Sequence, residues 1–135
     1  MIPSDFVMMT LGKPWVNRAI GPESYDCWGL VIKSFEMIEG IILPTVSGYV
    51  ESKTPTHIAA KDEITKEWWI DGDGSDGDVA WYFDHKGRFV HVGRVIGGGV
   101  LHSSGLEGVG AVKWERKNIV SLRFSKTEYK LYANN

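Results

Sequence analysis

Residues Tyr25–Val31, YDCWGLV, decide the fold, because the turn residues GPES end there and an apolar repeat begins. From Cys27, the only cysteine of the chain, apolar side chains recur every three or four positions. This spacing is typical of one face of an amphipathic helix. Gly40 then supplies a residue suited to the left-handed end of a helix. The pattern therefore predicts a helix from about Asp26 to Glu39, with the cysteine in its first turn.

The composition indicates one globular domain. The 135 residues are 43% hydrophobic and 12% aromatic, which is enough apolar surface for a single core. A net charge of −2 leaves no basic surface, so nucleic acid is not an expected partner. No apolar run is long enough to span a membrane, and the N-terminus lacks the basic region of a secretion signal. We expect a single domain over residues 1–135 that is made in the cytoplasm.

Helical patterns occupy the first half of the chain and strand patterns the second. Ser4 is the predicted cap of a short helix, SDFVMMTL, and Thr56 the predicted cap of a weaker one, THIAAKDEITKEWW. An antiparallel meander is predicted from turn-separated runs, namely VAWYF, FVHVGRVI, VLHSS, AVKWER, VSLRF and EYKLY. Helices before strands indicate an α+β domain, with N-terminal helices packed on a central antiparallel sheet.

The thiol of Cys27 has two interpretations. A single cysteine on an apolar helix face is commonly a small core residue. In the first turn of a helix, however, unpaired N–H groups and the positive end of the dipole favour a thiolate, which is the nucleophilic form. A nucleophile of this kind also needs a general base, and a third group that orients the base.

Two histidines lie in neighbouring predicted strands. His91 is in the middle of FVHVGRVI, and His102 is in VLHSS, across the turn at Gly97–Gly99. Pairing across this turn sets His91 opposite Ser104 or Gly105 and makes His102 its diagonal neighbour, within reach after a small register change. The sequence permits this contact without requiring it.

The remaining polar motifs are interpreted as structural. DGDGSDGD lacks the Gly and Glu spacing of a calcium-binding EF-hand loop, so it is predicted to be an acidic, solvated loop. The GGG segment lacks the strand–loop–helix context of a nucleotide site and is read as a turn. His57 and His85 are interpreted as ordinary surface residues.

Five short motifs follow one another along nearly the whole chain: GKPW, YDCWGLV, GDV, HVG and VLH. In this order they resemble the G-x-P-Y, DC-x-GL, sheet-opening, base-strand and third-residue motifs of the NlpC-type cell-wall peptidases, which are papain-like cysteine peptidases. The resemblance implies a papain-like α+β single domain. It also implies a Cys-His-His triad in which Cys27 is the nucleophile, His91 the base and His102 the residue that orients the base.

Three more positions correspond to residues near the substrate in that family. Trp15 stands where the family often has tyrosine, and Trp28 where it often has serine, so peptide selectivity is open to change. Either tryptophan could instead be a packing residue. Asp26 could cap the helix, hold a cationic group of the substrate, or do both.

The reaction that the resemblance implies is hydrolysis of a peptidoglycan stem peptide at the γ-D-glutamyl bond to a diamino acid, with no metal or cofactor. The DCWGL variant and the GIILP segment are most similar to the branch found in phage and prophage tails. That branch implies action within a virion, alongside other tail proteins. Two alternatives stay open: an N-acetylmuramoyl-L-alanine amidase with the same triad, and a tail-tip structural protein without catalysis.

Overall fold

An antiparallel six-stranded sheet forms the centre of the computed structural model, which describes residues 1–52 and 54–133. The strands are β1 (Trp69–Asp71), β2 (Val79–Phe83), β3 (Phe89–Ile96), β4 (Gly99–Ser104), β5 (Ala111–Arg116) and β6 (Lys126–Tyr132). Their spatial order is β1-β6-β2-β3-β4-β5. The predicted meander is confirmed for β2 to β5, whereas β6 returns to lie between β1 and β2. The α+β class is therefore confirmed.

Four short α-helices in the described residues accompany the sheet: α1 (Pro3–Thr10), α2 (Cys27–Ser34), α3 (Thr56–Glu63) and α4 (Lys117–Ser121). α2 continues as a π-helical turn over Phe35–Glu39 and ends at Gly40, whose φ of 70° is left-handed. The helix predicted from Asp26 to Glu39 is thus confirmed, together with its glycine stop. No helix of the described ranges is both long and apolar enough to cross a membrane.

The apolar face of α2 packs on one face of the sheet, and the two together form a main part of the core. Trp28, Val31 and Phe35 are buried there with Trp81 and Val92 of the sheet. A fully buried apolar side chain of this size contributes about 1.5–3 kcal/mol to folding. This packing holds the N-terminus of α2, and with it Cys27, against β3.

A two-residue turn joins β3 to β4 and fixes how these strands pair. Gly97 and Gly98 have φ values of 62° and 77°, as a type I′ hairpin turn requires. Asp76 accepts hydrogen bonds from both of their N–H groups, at 3.0 and 2.9 Å. The predicted three-residue turn was therefore wrong, because Gly99 already pairs with Ile96 as the first residue of β4. One residue fewer in the turn puts His91 and His102 on the same face.

The first and last residues of α1 and α3 differ from the predicted ones. α1 begins at Pro3 and has no side-chain cap, so Ser4 is not the cap. Thr56 is likewise the first helical residue after Pro55, and α3 ends at Glu63. The rest of that predicted helix runs into β1. Residue 53 and the side chain of His57 lie outside what the structure describes, and the interpretation of His57 stays a prediction.

Two other segments differ from their predictions, one wholly and one in part. VSLRF is no strand, because α4 takes up its first two residues and turns follow. Val120 is buried and Phe124 partly buried four residues later, while Leu122 between them is 80% exposed, which is helical rather than alternating burial. The acidic loop is only partly solvated, because Asp78 is buried and accepts a hydrogen bond from the backbone of Gly74 at 2.8 Å.

Candidate active site

Cys27 is the first residue of α2 and opens onto a cavity of about 220 Å³. The residue is 8% exposed, and its thiol is free. Trp15 and His91 line the same cavity. The structure therefore brings together three of the residues that the sequence motifs single out.

A close approach of two backbone segments explains the glycine of the DC-x-G motif. A Cβ atom at Gly29 would lie 1.9 Å from the carbonyl oxygen of Ala19. The same oxygen accepts a hydrogen bond from the N–H of Asp26 at 2.9 Å. Any side chain at position 29 would thus push the start of α2 away from the preceding loop.

Asp26 is a buried hub that ties the start of α2 to three other segments. Its carboxylate accepts hydrogen bonds from the N–H of Gly29 (2.6 Å), the N–H of Arg18 (2.7 Å), the hydroxyl of Tyr49 (2.7 Å) and the hydroxyl of Thr56 (2.6 Å). The capping role is confirmed by the first of these bonds. Burial raises the pKa of the Asp26 carboxyl, although the donors oppose this effect.

The hub leaves Asp26 little freedom to contact a substrate. The residue is 0% exposed, and its two carboxylate oxygens already accept hydrogen bonds from four protein groups. A cationic group of a substrate would have to displace one of them. The substrate-binding role of Asp26 stays a prediction.

The thiol of Cys27 is held in its neutral form. Burial raises its pKa, and the neighbouring Asp26 carboxylate raises it further. Backbone N–H groups, including that of Val92, oppose these effects only in part. A base is therefore needed to remove the thiol proton during a reaction.

Four side chains form a continuous polar chain on the sheet. Nε2 of His91 lies 2.8 Å from Nδ1 of His102, and Nε2 of His102 lies 2.9 Å from Oε1 of Glu115. Arg123 donates to both carboxylate oxygens of Glu115, at 2.8 and 2.6 Å. The chain therefore runs from the Cys27 cavity across β3, β4 and β5 to a surface arginine.

The hydrogen bonds of this polar chain determine which ring nitrogen of each histidine carries the proton. Hydrogen bonds from Arg123 lower the pKa of Glu115 to about 2, so its carboxylate is an acceptor only. Neutral His102 then carries its proton on Nε2 and accepts at Nδ1. His91 in turn carries its proton on Nε2, which leaves Nδ1 of His91 as the free basic atom. This is the tautomer that a general base requires.

His91 lies in an apolar setting that keeps it neutral. Its ring stacks on Phe124 with 5.7 Å between the centroids and an angle of 12°, and it lies 5.7 Å from the ring of Tyr82. Burial, with His102 and Arg123 adding to it, lowers the pKa of His91 to about 3. Within the described part of the chain, no hydrogen bond joins His91 to the thiol of Cys27 in this resting arrangement.

The two tryptophans occupy different places. Trp15 is partly buried and lines the cavity of Cys27. Trp28 is 1% exposed, packs against Trp69 and Phe89, and lines a different cavity. The substrate-binding roles of both stay predictions.

Sequence reasoning missed Glu115 and the loop partners of Asp26. Glu115 could have been found from strand parity, because His102 pairs with Lys113 and Glu115 lies two residues further along the same face of β5. Tyr49 carried no comparable signal, because it comes from an irregular loop. Among the residues that are described, no group of three or more His, Cys, Asp or Glu is arranged to hold a metal ion.

Solved structures with the same fold support this description. The crystal structure of the NlpC/p60 domain of the peptidoglycan hydrolase SagA matches with a TM-score of 0.57 and 16% identity, over 95% of this chain and 93% of that domain. NlpC1 and NlpC2 from Trichomonas vaginalis match with TM-scores of 0.65 and 0.64, both at 19% identity and over 98% of this chain. The matches cover 44% and 46% of those two longer chains. At these identities the likeness shows the fold.

The family follows from the sequence itself. No curated protein sequence shows a significant match. The model of the NlpC/P60 family matches residues 12–123, a range that includes Cys27, His91 and His102. NlpC/P60 domains are of the cysteine-peptidase type that hydrolyses peptidoglycan, and this chain belongs to the NlpC/P60 family.

Proposed function

We propose that the chain hydrolyses an amide bond of a peptidoglycan stem peptide, with Cys27 as the nucleophile. The observation that carries the proposal is the shared cavity of Cys27 and His91, behind which His102 and Glu115 fix the His91 tautomer. Membership of the NlpC/P60 family supports the substrate class.

The proposed reaction begins with a proton transfer. Nδ1 of His91 takes the proton of the Cys27 thiol, and Sγ attacks the carbonyl carbon of the scissile amide. Because the resting side chains are not hydrogen-bonded, His91 and Cys27 must approach each other when substrate fills the cavity. The imidazolium that forms keeps its Nε2–H bond to His102, and the negative charge of Glu115 stabilises it through that chain.

The intermediate then collapses to a thioester. The backbone N–H of Cys27, at the start of α2, is the candidate donor to the oxyanion of the tetrahedral intermediate. Collapse breaks the C–N bond, and His91 gives its proton to the leaving amine. A water molecule, deprotonated by His91, attacks the thioester and releases the free acid and the thiol.

The proposed bond is the γ-D-glutamyl link to a diamino acid, with Trp15, Asp26 and Trp28 as candidate substrate contacts. Trp15 has the most direct support, because it lines the cavity of Cys27. The proposed setting is a phage or prophage tail, in which the protein is made in the cytoplasm and acts as part of the virion, next to other tail proteins. The motif resemblance of DCWGL and GIILP supports that setting.

Product masses distinguish the proposed bond from its alternative. A purified muramoyl tripeptide that contains meso-diaminopimelate is incubated with the protein and analysed by mass spectrometry. Release of free diaminopimelate is expected from the endopeptidase. Release of the intact tripeptide from muramic acid would instead identify the amidase. Unchanged substrate would contradict both and favour the inactive structural protein.

A further inference from the structure

A second cavity, of about 350 Å³, lies apart from the cavity of Cys27 and shares no lining residue with it. Its walls include Arg18, Trp28, Thr45 and Glu63. Each of these four residues has a buried side-chain nitrogen or oxygen without a hydrogen-bond partner. Buried polar atoms are nearly always paired, so four unpaired ones around a single cavity need an explanation.

Arg18 is held in place as a buried cation. Its φ of 65° is left-handed, which is rare for a residue with a side chain. Nε donates to the carbonyl oxygen of Tyr49 at 2.9 Å, and the guanidinium lies 3.9 Å from the centre of the Tyr49 ring. The residue is 8% exposed, and Nη1 has no partner. No carboxylate of the described residues lies within 4 Å of the guanidinium.

Glu63 is the corresponding acidic group. Its Oε1 accepts hydrogen bonds from the indole N–H groups of Trp68 and Trp69, at 3.0 and 2.9 Å. Oε2 has no partner, and the residue is 3% exposed. Burial raises the pKa of this carboxyl. In the described ranges Lys66 pairs with Asp62 rather than with Glu63.

The cavity therefore presents a cation and an acid that do not pair with each other. Burying a charge without a partner is costly, and a ligand that brings the opposite charges offsets that cost. A carboxylate fits the donors of Arg18 and Trp28, and an ammonium group fits the acceptor of Glu63. The volume lies at the lower end of the range for small-molecule sites.

We propose that this cavity binds an α-amino-acid zwitterion, with its carboxylate at Arg18 and Trp28 and its ammonium group at Glu63. Such a group exists in a free amino acid and at the diamino-acid residue of a stem peptide. Binding of the free amino acid stands independently of the proposed hydrolase activity. Binding of the stem peptide rests on the proposed function.

The test uses the full chain carrying Cys27→Ala, so that turnover cannot complicate binding. Isothermal titration calorimetry measures the dissociation constants of three probes. These are meso-diaminopimelate, pimelate, which lacks the ammonium groups, and cadaverine, which lacks the carboxylates. We expect the zwitterion to bind at least tenfold more tightly than either. A second series with the tripeptide L-Ala-γ-D-Glu-meso-diaminopimelate distinguishes the two sources.

Charge-neutralising variants locate the site. Arg18→Gln and Glu63→Gln should each weaken binding of the zwitterion at least tenfold. Asp5→Asn, at an exposed acid of α1 that does not line this cavity, should leave it unchanged. Thr45→Val provides a milder variant that alters one unpaired hydroxyl if a charge variant fails to fold. It should weaken binding about twofold to fivefold.

Each outcome decides the proposal. Binding of free diaminopimelate that depends on Arg18 and Glu63 supports an amino-acid site, and binding of the tripeptide alone with the same dependence supports a peptide subsite. Equal binding of all three small probes, no binding of any probe or of the tripeptide, or binding that neither charge variant weakens would overturn it.

Discussion

The two sides of the candidate active site are built in different ways. On the side of the base, His91, His102 and Glu115 lie on three adjacent strands, and their hydrogen bonds follow from strand pairing. On the side of the nucleophile, Cys27 lies at the N-terminus of α2, and the position of that helix depends on Asp26. The partners of that carboxylate come from separate loops and from the start of α3.

The geometry of the two sides therefore depends on different interactions, namely strand register on the base side and individual hydrogen bonds on the nucleophile side. A strand ladder repeats the same geometry along its length, so the distances among its side chains are set by register. A loop hub has no such repeat and holds only while each hydrogen bond is made. We therefore expect changes on the base side to alter chemistry first, and changes in the hub to alter stability first.

The largest expected effect is the loss of the base. His91→Gln should lower kcat/KM for the muramoyl tripeptide by about 10³-fold, because a general base contributes 10²–10⁴-fold. Its unfolding free energy should change little by comparison. His85→Gln is the matched control, because His85 is exposed in a turn, and it should keep full activity. Equal activity of the two variants would exclude His91 as the base.

The hub should respond through stability. Asp26→Ala leaves several buried donors without an acceptor, and we expect its unfolding free energy to fall by about 3 kcal/mol. Urea denaturation measures this value. Asp5→Ala, an exposed acid in α1, should change it by less than about 0.5 kcal/mol. A loss for Asp26→Ala no larger than for this control would contradict the structural role of the hub.

The histidine pair should make stability depend on pH. The pKa of His91 is lowered to about 3 in the folded state, against about 6.5 when unfolded. Below pH 6.5 the unfolded chain therefore takes up a proton that the folded chain refuses. His91 should thus cost up to about 1.4 kcal/mol of unfolding free energy for each pH unit between 6.5 and 3.

Urea denaturation from pH 7 to pH 5 measures this slope. Both proteins should lose stability as the pH falls, because burial also lowers the pKa of His102. The wild type should lose it faster than His91→Gln, because only the wild type has the His91 contribution. Identical slopes for the two proteins would show that His91 is not held neutral by the fold.

A smaller effect is expected at the far end of the polar chain. Glu115→Gln keeps an acceptor for His102 but removes the negative charge that stabilises a His91 imidazolium. The rate of Cys27 alkylation by iodoacetamide at pH 7 should fall by about tenfold, which corresponds to about 1.4 kcal/mol. Glu128→Gln, an ion-paired acid on β6, serves as the control. If both variants react like the wild type, Glu115 has no positioning role.

The smallest effect is expected at the hairpin turn that sets the register. Asp76→Ala removes two exposed hydrogen bonds to Gly97 and Gly98, and we expect a loss of about 1 kcal/mol in unfolding free energy. Activity at a temperature well below unfolding should persist, because Gly-Gly still favours the two-residue turn. A loss of activity without loss of stability would mean that Asp76 acts on the site in another way.

The base side could be predicted from the sequence because its information is local. Alternation in FVHVGRVI and VLHSS gives the strands, and the glycine turn between them gives the pairing. The one-residue error came from counting Gly99 in the turn. Glycine has no side chain to reveal whether it lies in a turn or a strand, so only the observed φ angles and pairing resolve it.

The nucleophile side could be predicted only in part. The position of Cys27 in the first turn of a helix followed from apolar spacing and from Asp26 as a cap. Tyr49 and Thr56 contact that carboxylate from 23 and 30 residues away in sequence. Such contacts depend on the paths of irregular loops, which carry no periodic signal. α4 was missed for a related reason, because five residues are too short for helical periodicity to be distinguished from strand alternation.

Covalent trapping tests the central proposal most directly. The protein is mixed with the muramoyl tripeptide, quenched with acid within one turnover, and analysed by intact and peptide mass spectrometry, with Cys27→Ala in parallel. We predict a mass increase equal to the acyl half of the substrate, located on the peptide that contains Cys27 and absent from the variant. Turnover of the substrate by both proteins, or an adduct on another residue, would contradict Cys27 as the nucleophile.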